Sequence, residues 1–319
     1  MNSIKLILFS IALGLAPLQL LAEQQLPTQF DNNRIILIPE LISGKKLRFF
    51  TDTGGGWNAI SKELHQQYNW PTITKVADGE EHTLSEMPKF KAEAEIPAGG
   101  IENFMAGYLF IAPEAEISAG QQFDGFLGGR WHAEKIIKID YVTESMFILD
   151  SLDGVNLNQF KKVKLGFQKD SYQKYTTAFP RMSIKVQGIE HQMLLDTGAT
   201  STLTNTAKKQ IQSKSNVVGT SFIAASVFDN WKTNNPGWTV IEKAEHGTEE
   251  AMIKVPLVIV AEQSIGPVWF TRREDNNFHE FMSSMMDKKI DGALGGSGLK
   301  YFELIIDYID EHAYFKAEL

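Results

Sequence analysis

Apolar residues along this chain fall in short blocks, and the spacing within them is mostly that of strands. RIILIPEL (34–41), RMSIKVQG (181–188) and IKVPLVIV (253–260) are rich in Ile and Val and are broken within a few residues by Pro, Gly or polar turn dipeptides. Such runs suit extended chain better than helix. Helical spacing is confined to SKELHQQY (61–68), NTAKKQIQ (205–212) and NNFHEFMSSMM (276–286). In the last, Phe278, Phe281, Met282 and Met285 share a face, which core packing explains more simply than a ligand. The pattern predicts an all-β class: mainly strands, with a few short helices.

The chain repeats itself once. GKKLRFFTDTG (44–54) and GIEHQMLLDTG (188–198) each carry a Gly eight residues before an Asp. FDGFLGG (123–129) and IDGALGG (290–296) follow, and sixteen residues after each of their Asp residues stand Asp140-Tyr141 and Asp307-Tyr308. An aromatic follows six residues after each Tyr, Phe147 and Tyr314. The interval from Asp52 to Asp124 is 72 residues and that from Asp196 to Asp291 is 95, so the second copy holds 23 more. The Asn-Pro-Gly chemistry in FDNWKTNNPGWTVIEKAEHG predicts that they lie near 228–247. DSLDGVNLNQ (150–159) reads as the connecting segment.

Residues 49–61, FFTDTGGGWNAIS, permit two chemistries. Gly54, Gly56 and Ala59 satisfy G-x-G-x-x-A, the turn that cradles a dinucleotide pyrophosphate. That reading needs a βαβ unit and an acidic residue about twenty positions on, for which Asp78 is available. The surroundings are strand-rich, however, and the second copy, GATSTLT, lacks the glycine pattern. The recurring Asp-Thr-Gly is therefore the informative part.

Two strand-like runs ending in Asp-Thr-Gly, each followed by Asp-Gly and a hydrophobic-hydrophobic-Gly element, resemble the retropepsin-like and pepsin-like aspartic proteases. The second copy, MLLDTGATSTLT with DGALGG, is the closer match, and the resemblance covers nearly the whole mature chain. It implies two retropepsin-like acid-protease lobes related by pseudo-twofold symmetry, at 23–153 and 154–319. Asp52 and Asp196 would be the catalytic pair at the lobe interface. Thr53-Gly54 and Thr197-Gly198 would brace the two turns, with Phe126-Leu127-Gly128 and Ala293-Leu294-Gly295 packed against them. Flaps over a cleft are expected at the Asp78-Gly79 hairpin, a type I′ turn signal, and in the region from Trp231 to Trp238. FTRREDNNFHEFMSSMMDKKIDGALGG resembles bacterial members, with no chemistry attached.

The implied function is an aspartic-type endopeptidase acting on extended peptide segments. Hydrolysis without a metal or a covalent nucleophile needs a base to deprotonate water and an acid to protonate the carbonyl. Two adjacent carboxyls that share one proton supply both, and they titrate as a unit. The alternative is a catalytically inactive peptide-binding homologue of the same fold. Departures in the first copy favour it: Thr51 precedes Asp52, and Gly55-Gly56 stand where Ala or Ser is usual, predicting a looser turn. Gly55 and Ala199 also offer no side-chain donor to the carboxylates, which predicts activity at mildly acidic pH.

Composition narrows the partners. A formal charge of −8 argues against nucleic acid and anionic membranes. Lys5 precedes an apolar run from Leu6 to Ala22, the layout of a signal peptide over 1–22. The chain is expected to be exported, periplasmic or secreted, with no stable membrane insertion after cleavage. It contains no cysteine, which closes lipid anchoring and disulfide stapling. The seven His residues show no ligand spacing, since the H-E-x-x begun at His279 reaches Ser283. GGSGL (295–299) misses the serine-elbow pattern. Neither a metal nor an organic cofactor is expected, and the partner is a peptide or protein substrate met by a monomer.

Overall fold

The computed structural model describes residues 23–77, 79–99, 107–118 and 121–318; the expected leader, 1–22, and Asp78 lie outside the described residues. The chain is mainly β, with a few short helices. Alternation decides which strand face is buried: in Arg181–Val186, Met182, Ile184 and Val186 are each 1% exposed, while the residues between them face away from the core. Among the described residues no helix is long and apolar enough to cross a membrane.

An eight-stranded sheet is built from residues 28–127 and a nine-stranded sheet from residues 181–294. A six-stranded sheet joins the two halves of the chain. It takes Glu23–Gln25, Ile136–Asp140 and Ser145–Leu149 from the first half, and Lys161–Lys164, Phe302–Asp307 and His312–Ala317 from the second. Its central seam pairs Ile136–Asp140 antiparallel with Phe302–Asp307, burying Ile137, Ile139, Leu304 and Ile306 completely. The Asp-Tyr landmarks end these two strands. Asp140 Oδ1 accepts from the backbone of Val142 and Thr143, and Asp307 Oδ1 from that of Ile309 and Asp310, closing both hairpin tips.

Within the two larger sheets one pairing pattern occurs twice. Phe49–Thr51 runs parallel to Gly125–Leu127, which runs antiparallel to Asn58–Ser61, itself parallel to Tyr108–Ala112. Ile189–Leu195 runs parallel to Gly292–Leu294, which runs antiparallel to Ser221–Ala224, itself parallel to Val268–Arg273. The register sets Ala59 opposite Phe126 and Phe222 opposite Ala293.

This register moves the additional residues of the second copy. Asp52 lies 7 positions before Ala59, whereas Asp196 lies 26 before Phe222. Most of the extra length is therefore at 199–220 and not at 228–247. It consists of Thr200–Thr202, the helix Asn205–Ile211 and Val217–Gly219. The counterpart of the helix Lys62–Tyr68 is Ala225–Asn234, a segment whose Asn, Asp and Thr content reads as turn. Ala225, Phe228 and Trp231 carry it as a helix by burying one stripe against the sheet.

The segment 276–285 also departs from its expected form. Asn276–Met282 is a π-helix, followed by a 3-10 turn at Ser283–Met285. The wider turn swings Phe281 off the shared face, leaving it 66% exposed while Phe278 stays at 5%.

A hairpin tip of the first large sheet reaches the second half of the chain at the separate two-stranded ribbon of Thr200–Thr202 and Val217–Gly219. Asn32 and Asn33 adopt positive φ of 51° and 65°, and the Asn32 carbonyl accepts from Gly219 N at 2.8 Å. A Cβ at Gly296 would stand 2.4 Å from the Asn33 carbonyl oxygen. Gly296→Ala should destabilise the protein by about 2–3 kcal/mol in denaturant unfolding. Gly237→Ala, where nothing lies within 4 Å, should be close to neutral.

Candidate functional site

Asp52 and Asp196 each follow the last residue of a central strand and are held by the element running beside it. Asp52 N donates to Leu127 O at 2.9 Å, and Asp196 N to Leu294 O at 3.0 Å. Each carboxylate then accepts from the glycine two residues on, Asp52 Oδ1 from Gly54 N at 2.7 Å and Asp196 Oδ1 from Gly198 N at 2.9 Å. The threonines between lock the turns to one another. Thr53 N donates to Thr197 Oγ1 at 3.1 Å, Thr197 N donates to Thr53 Oγ1 at 3.0 Å, and Thr53 Oγ1 donates to Leu195 O at 2.6 Å.

The glycines let the carboxyls meet. A Cβ at Gly198 would lie 2.1 Å from Asp52 Cγ, and one at Gly54 would lie 2.8 Å from Asp196 Cγ. Across this gap the two side chains hydrogen-bond to each other, which requires a proton on one of them. Asp52 is partly exposed, while Asp196 is 8% exposed. Burial lifts Asp52 above the ordinary aspartate range, against the pull of Asp196 and of backbone donors at Gly54, Gly55 and Gly198. Burial lifts Asp196 further, and the neighbouring charge of Asp52 adds to it.

Tyr141 and Tyr308, from the Asp-Tyr landmarks, are buried close by. Burial raises both phenols first; the charge of Asp196 then adds to Tyr141 and that of Asp52 to Tyr308. Each half's tyrosine thus senses the other half's carboxyl.

The triple glycine does not leave a loose turn. A Cβ at Gly55 would strike the Phe126 ring at 2.5 Å, so the small residue makes room for the large one. In the second half Ala199 stands where Gly55 does and Ala293 where Phe126 does. Thr51 is fully buried and its hydroxyl donates to Ile35 O at 3.0 Å, so its polar atom is satisfied. The glycine run leads into the strand Asn58–Ser61 instead of a helix, so no pyrophosphate cradle forms.

Above the pair lies a cleft of about 340 Å³, lined by Phe50, Trp57, Ile117, Phe123 and Phe126 beside Asp52 and by Ala199, Thr200 and Phe222 beside Asp196. Sequence reasoning missed Trp57, Phe123 and Phe222, because nothing in their spacing separates a cleft wall from a core. The hairpin of Thr72–Ala77 and Glu80–Glu86 pairs Ala77 with Glu80 and has Gly79 at φ 81°. It reaches the cleft wall through rings: His82 packs on Phe110, and Phe110 on Trp57. Trp231 is elsewhere, 3% exposed within the helix Ala225–Asn234, and Trp238 packs against it. The tight reversal expected at Asn-Pro-Gly follows the helix, with Trp238 N donating to Asn235 O at 2.9 Å. Neither indole lines the cleft: Trp231 is in the core, and the half-buried Trp238 packs against it. Among the described residues no cluster of three or more His, Asp or Glu is placed to hold a metal.

The folded chain keeps a proton on the pair that the unfolded chain releases, so rising pH favours unfolding. The associated stability is complete below the ordinary aspartate range, near pH 4, and is lost as pH climbs through the raised value. Asp196→Asn removes this proton and should be more stable than wild type at neutral pH, the two converging towards pH 4 in thermal unfolding. A wild type that gains stability relative to the variant as pH rises would contradict the raised carboxyl.

No protein-family profile matches the chain, and no curated protein matches it. Among solved structures it is similar to conglutin gamma, a basic 7S globulin from lupine seeds, at 10% identity and TM-score 0.50, covering 93% of this chain and 95% of that one. It is similar in the same degree to the basic 7S globulin from soybean, at 9% identity and TM-score 0.50, again covering 93% and 95%. Likeness at this identity concerns the fold alone. These findings correct the expectation drawn from the resemblance. The chain is not assigned to the retropepsin-like and pepsin-like aspartic proteases, and the expected aspartic-type endopeptidase, a hydrolase and protease, gives way to a globulin-like fold. The physical reason is that Asp-Thr-Gly and Asp-Gly elements specify how strands and turns are pinned together, which is a property of fold before it is one of chemistry.

Proposed function

We propose that this is an exported binding protein that holds an extended segment of a peptide or protein partner in the cleft above Asp52 and Asp196. The observation that carries this reading is the proton-sharing carboxyl pair at the floor of a cleft walled by aromatic rings. A pair with one proton presents a donor and acceptors within a few ångströms, which matches the C=O and N–H of a backbone amide. A fully ionised pair would present acceptors alone. Phe50, Trp57, Phe126 and Phe222 exclude water around these hydrogen bonds and strengthen them.

The recurring strand pairings and the reciprocal threonine bonds support two lobes, 23–153 and 154–319, related by a pseudo-twofold axis passing between the aspartates. The apolar N-terminal run supports a leader over 1–22 and a periplasmic or secreted location. The protein acts as a monomer, because one chain supplies both aspartates.

Titration of the mature protein with a library of unstructured peptides, followed by calorimetry and by mass spectrometry of the peptide, tests the reading. Binding should weaken as pH rises from 4 to 8 and the shared proton is lost. Asp196→Asn, which keeps a donor at every pH, should bind with nearly constant affinity. Absence of binding across this range would overturn the reading, and so would recovery of the peptide as fragments.

A further inference from the structure

The two cleft walls are built from rings that reach the same register slot from opposite strands. In the first half Phe126 faces Ala59, and in the second Phe222 faces Ala293. The rings are held in different ways. Phe126 leans on other rings, Phe50 at 6.0 Å and Trp57 at 6.5 Å between centroids. Phe222 packs on the Phe278 ring at 6.4 Å and is in addition covered by the guanidinium of Arg273, 4.1 Å from its centroid. Arg273 ends the strand Val268–Arg273 opposite Ala224, a place that Ala112 fills in the first half opposite Ser61.

Arg273 is itself clamped. Its Nη1 donates to Glu245 Oε2 at 2.7 Å and to Arg272 O at 3.0 Å, and its Nη2 donates to Glu245 Oε1 at 2.8 Å. Glu245 is 5% exposed and also accepts from Thr248 Oγ1 at 2.6 Å. Arg273 and Glu245 line a polar groove that shares Gln121 and Thr200 with the cleft and so adjoins it.

We propose that Arg273, clamped by Glu245, is a specificity-determining residue of the cleft. It pins the Phe222 ring as the second wall and gives the groove beyond Thr200 a lining for a neutral acceptor side chain of the bound segment, a carboxamide or a hydroxyl. The side next to Asp52 takes an apolar one. This rests on the binding reading above. The three N–H···O bonds to Glu245 and Arg272 use three of the five donors of a guanidinium, leaving Nε–H and one Nη2–H to meet an acceptor. Glu245 pairs with Arg273, and Glu250 and Glu274 both pair with Arg272, so three carboxylates stand against two guanidiniums and a further carboxylate is disfavoured there.

The test uses peptides with a fixed Leu and with Gln, Glu or Leu at each following position in turn, titrated by calorimetry. Wild type should prefer Gln over Glu and Leu at one position by about tenfold, the size of one hydrogen bond to a charged donor. Arg273→Lys keeps the charge but not the planar fork, and should lose most of that preference. Removing Arg273 alone would strand a buried Glu245. The double variant Glu245→Met with Arg273→Met avoids this, with its fold checked by thermal unfolding, and should bind all three peptides alike. A folded double variant that still prefers Gln overturns the proposal, as does a wild type that binds the peptides without preference. A wild type that binds none of them removes the binding reading and this proposal together.

Discussion

The reciprocal bonds between Thr53 and Thr197 are the constraint on which the rest of the site depends. Each backbone amide donates to the other hydroxyl, at 3.1 and 3.0 Å, between residues 144 positions apart in sequence. Both threonines are buried, so breaking the exchange would leave donors with no access to water. With the threonines fixed, the adjoining aspartates have no freedom to separate, and the glycines that follow remove the only atoms that would keep them apart. Two carboxyls forced together in a buried place cannot both be charged. The proton they retain is a consequence of backbone geometry rather than of any side-chain donor. The Thr53 and Thr200 hydroxyls donate elsewhere, Thr53 to Leu195 O and Thr200 to Gly198 O.

The parts of this arrangement that were legible in the sequence are those that occur twice. Asp-Thr-Gly, Asp-Gly and Asp-Tyr recur because each closes a turn against the same neighbouring strand, and a closed turn tolerates few residue types. Gly44 and Gly188 belong with them, at φ 89° and 81°, where only glycine is free of strain. What recurs only in three dimensions was hidden. The ring against the pair comes from Phe126 in one half and from the opposing strand, as Phe222, in the other, so aligning the copies residue by residue puts Ala beside Phe twice. The apparent looseness at Gly55 had the same origin, because the space it vacates is filled by a residue 71 positions later.

Local pattern failed where tertiary contact outweighs propensity. Ala225–Asn234 is poor in strong helix formers, yet three inward side chains hold it on the sheet. Asn276–Met282 has α-helical spacing but folds with a wider turn, which no periodicity of 3.6 can announce. The family expectation went further than either, carrying a chemistry along with a fold. At 9–10% identity the solved relatives share the arrangement of strands while being named as seed globulins. A scaffold that brings two carboxyls together therefore fixes a hydrogen-bonding geometry, and what that geometry serves is decided by the walls around it.

Those walls differ from one another more than the two sides of the floor do. Around Asp52 and Asp196 the bonds from the aspartate amides, from the glycines to the carboxylates and between the threonines recur in both halves, so the floor contributes less to the direction of a segment lying across it than the walls do. The first wall is mainly rings packed on rings, with Glu116 and Gln121 also at the cleft. The second has Phe222 in contact with both the Phe278 ring and the Arg273–Glu245 ion pair, and beside it lies the groove with Thr202, His246 and Asn277. A segment entering with its apolar side chain towards Phe126 buries it; reversed, the same side chain meets Arg273 and Glu245, whose hydration it would displace without replacing a hydrogen bond. Under the proposed binding reading, direction and register of a segment would follow from this difference between the two walls.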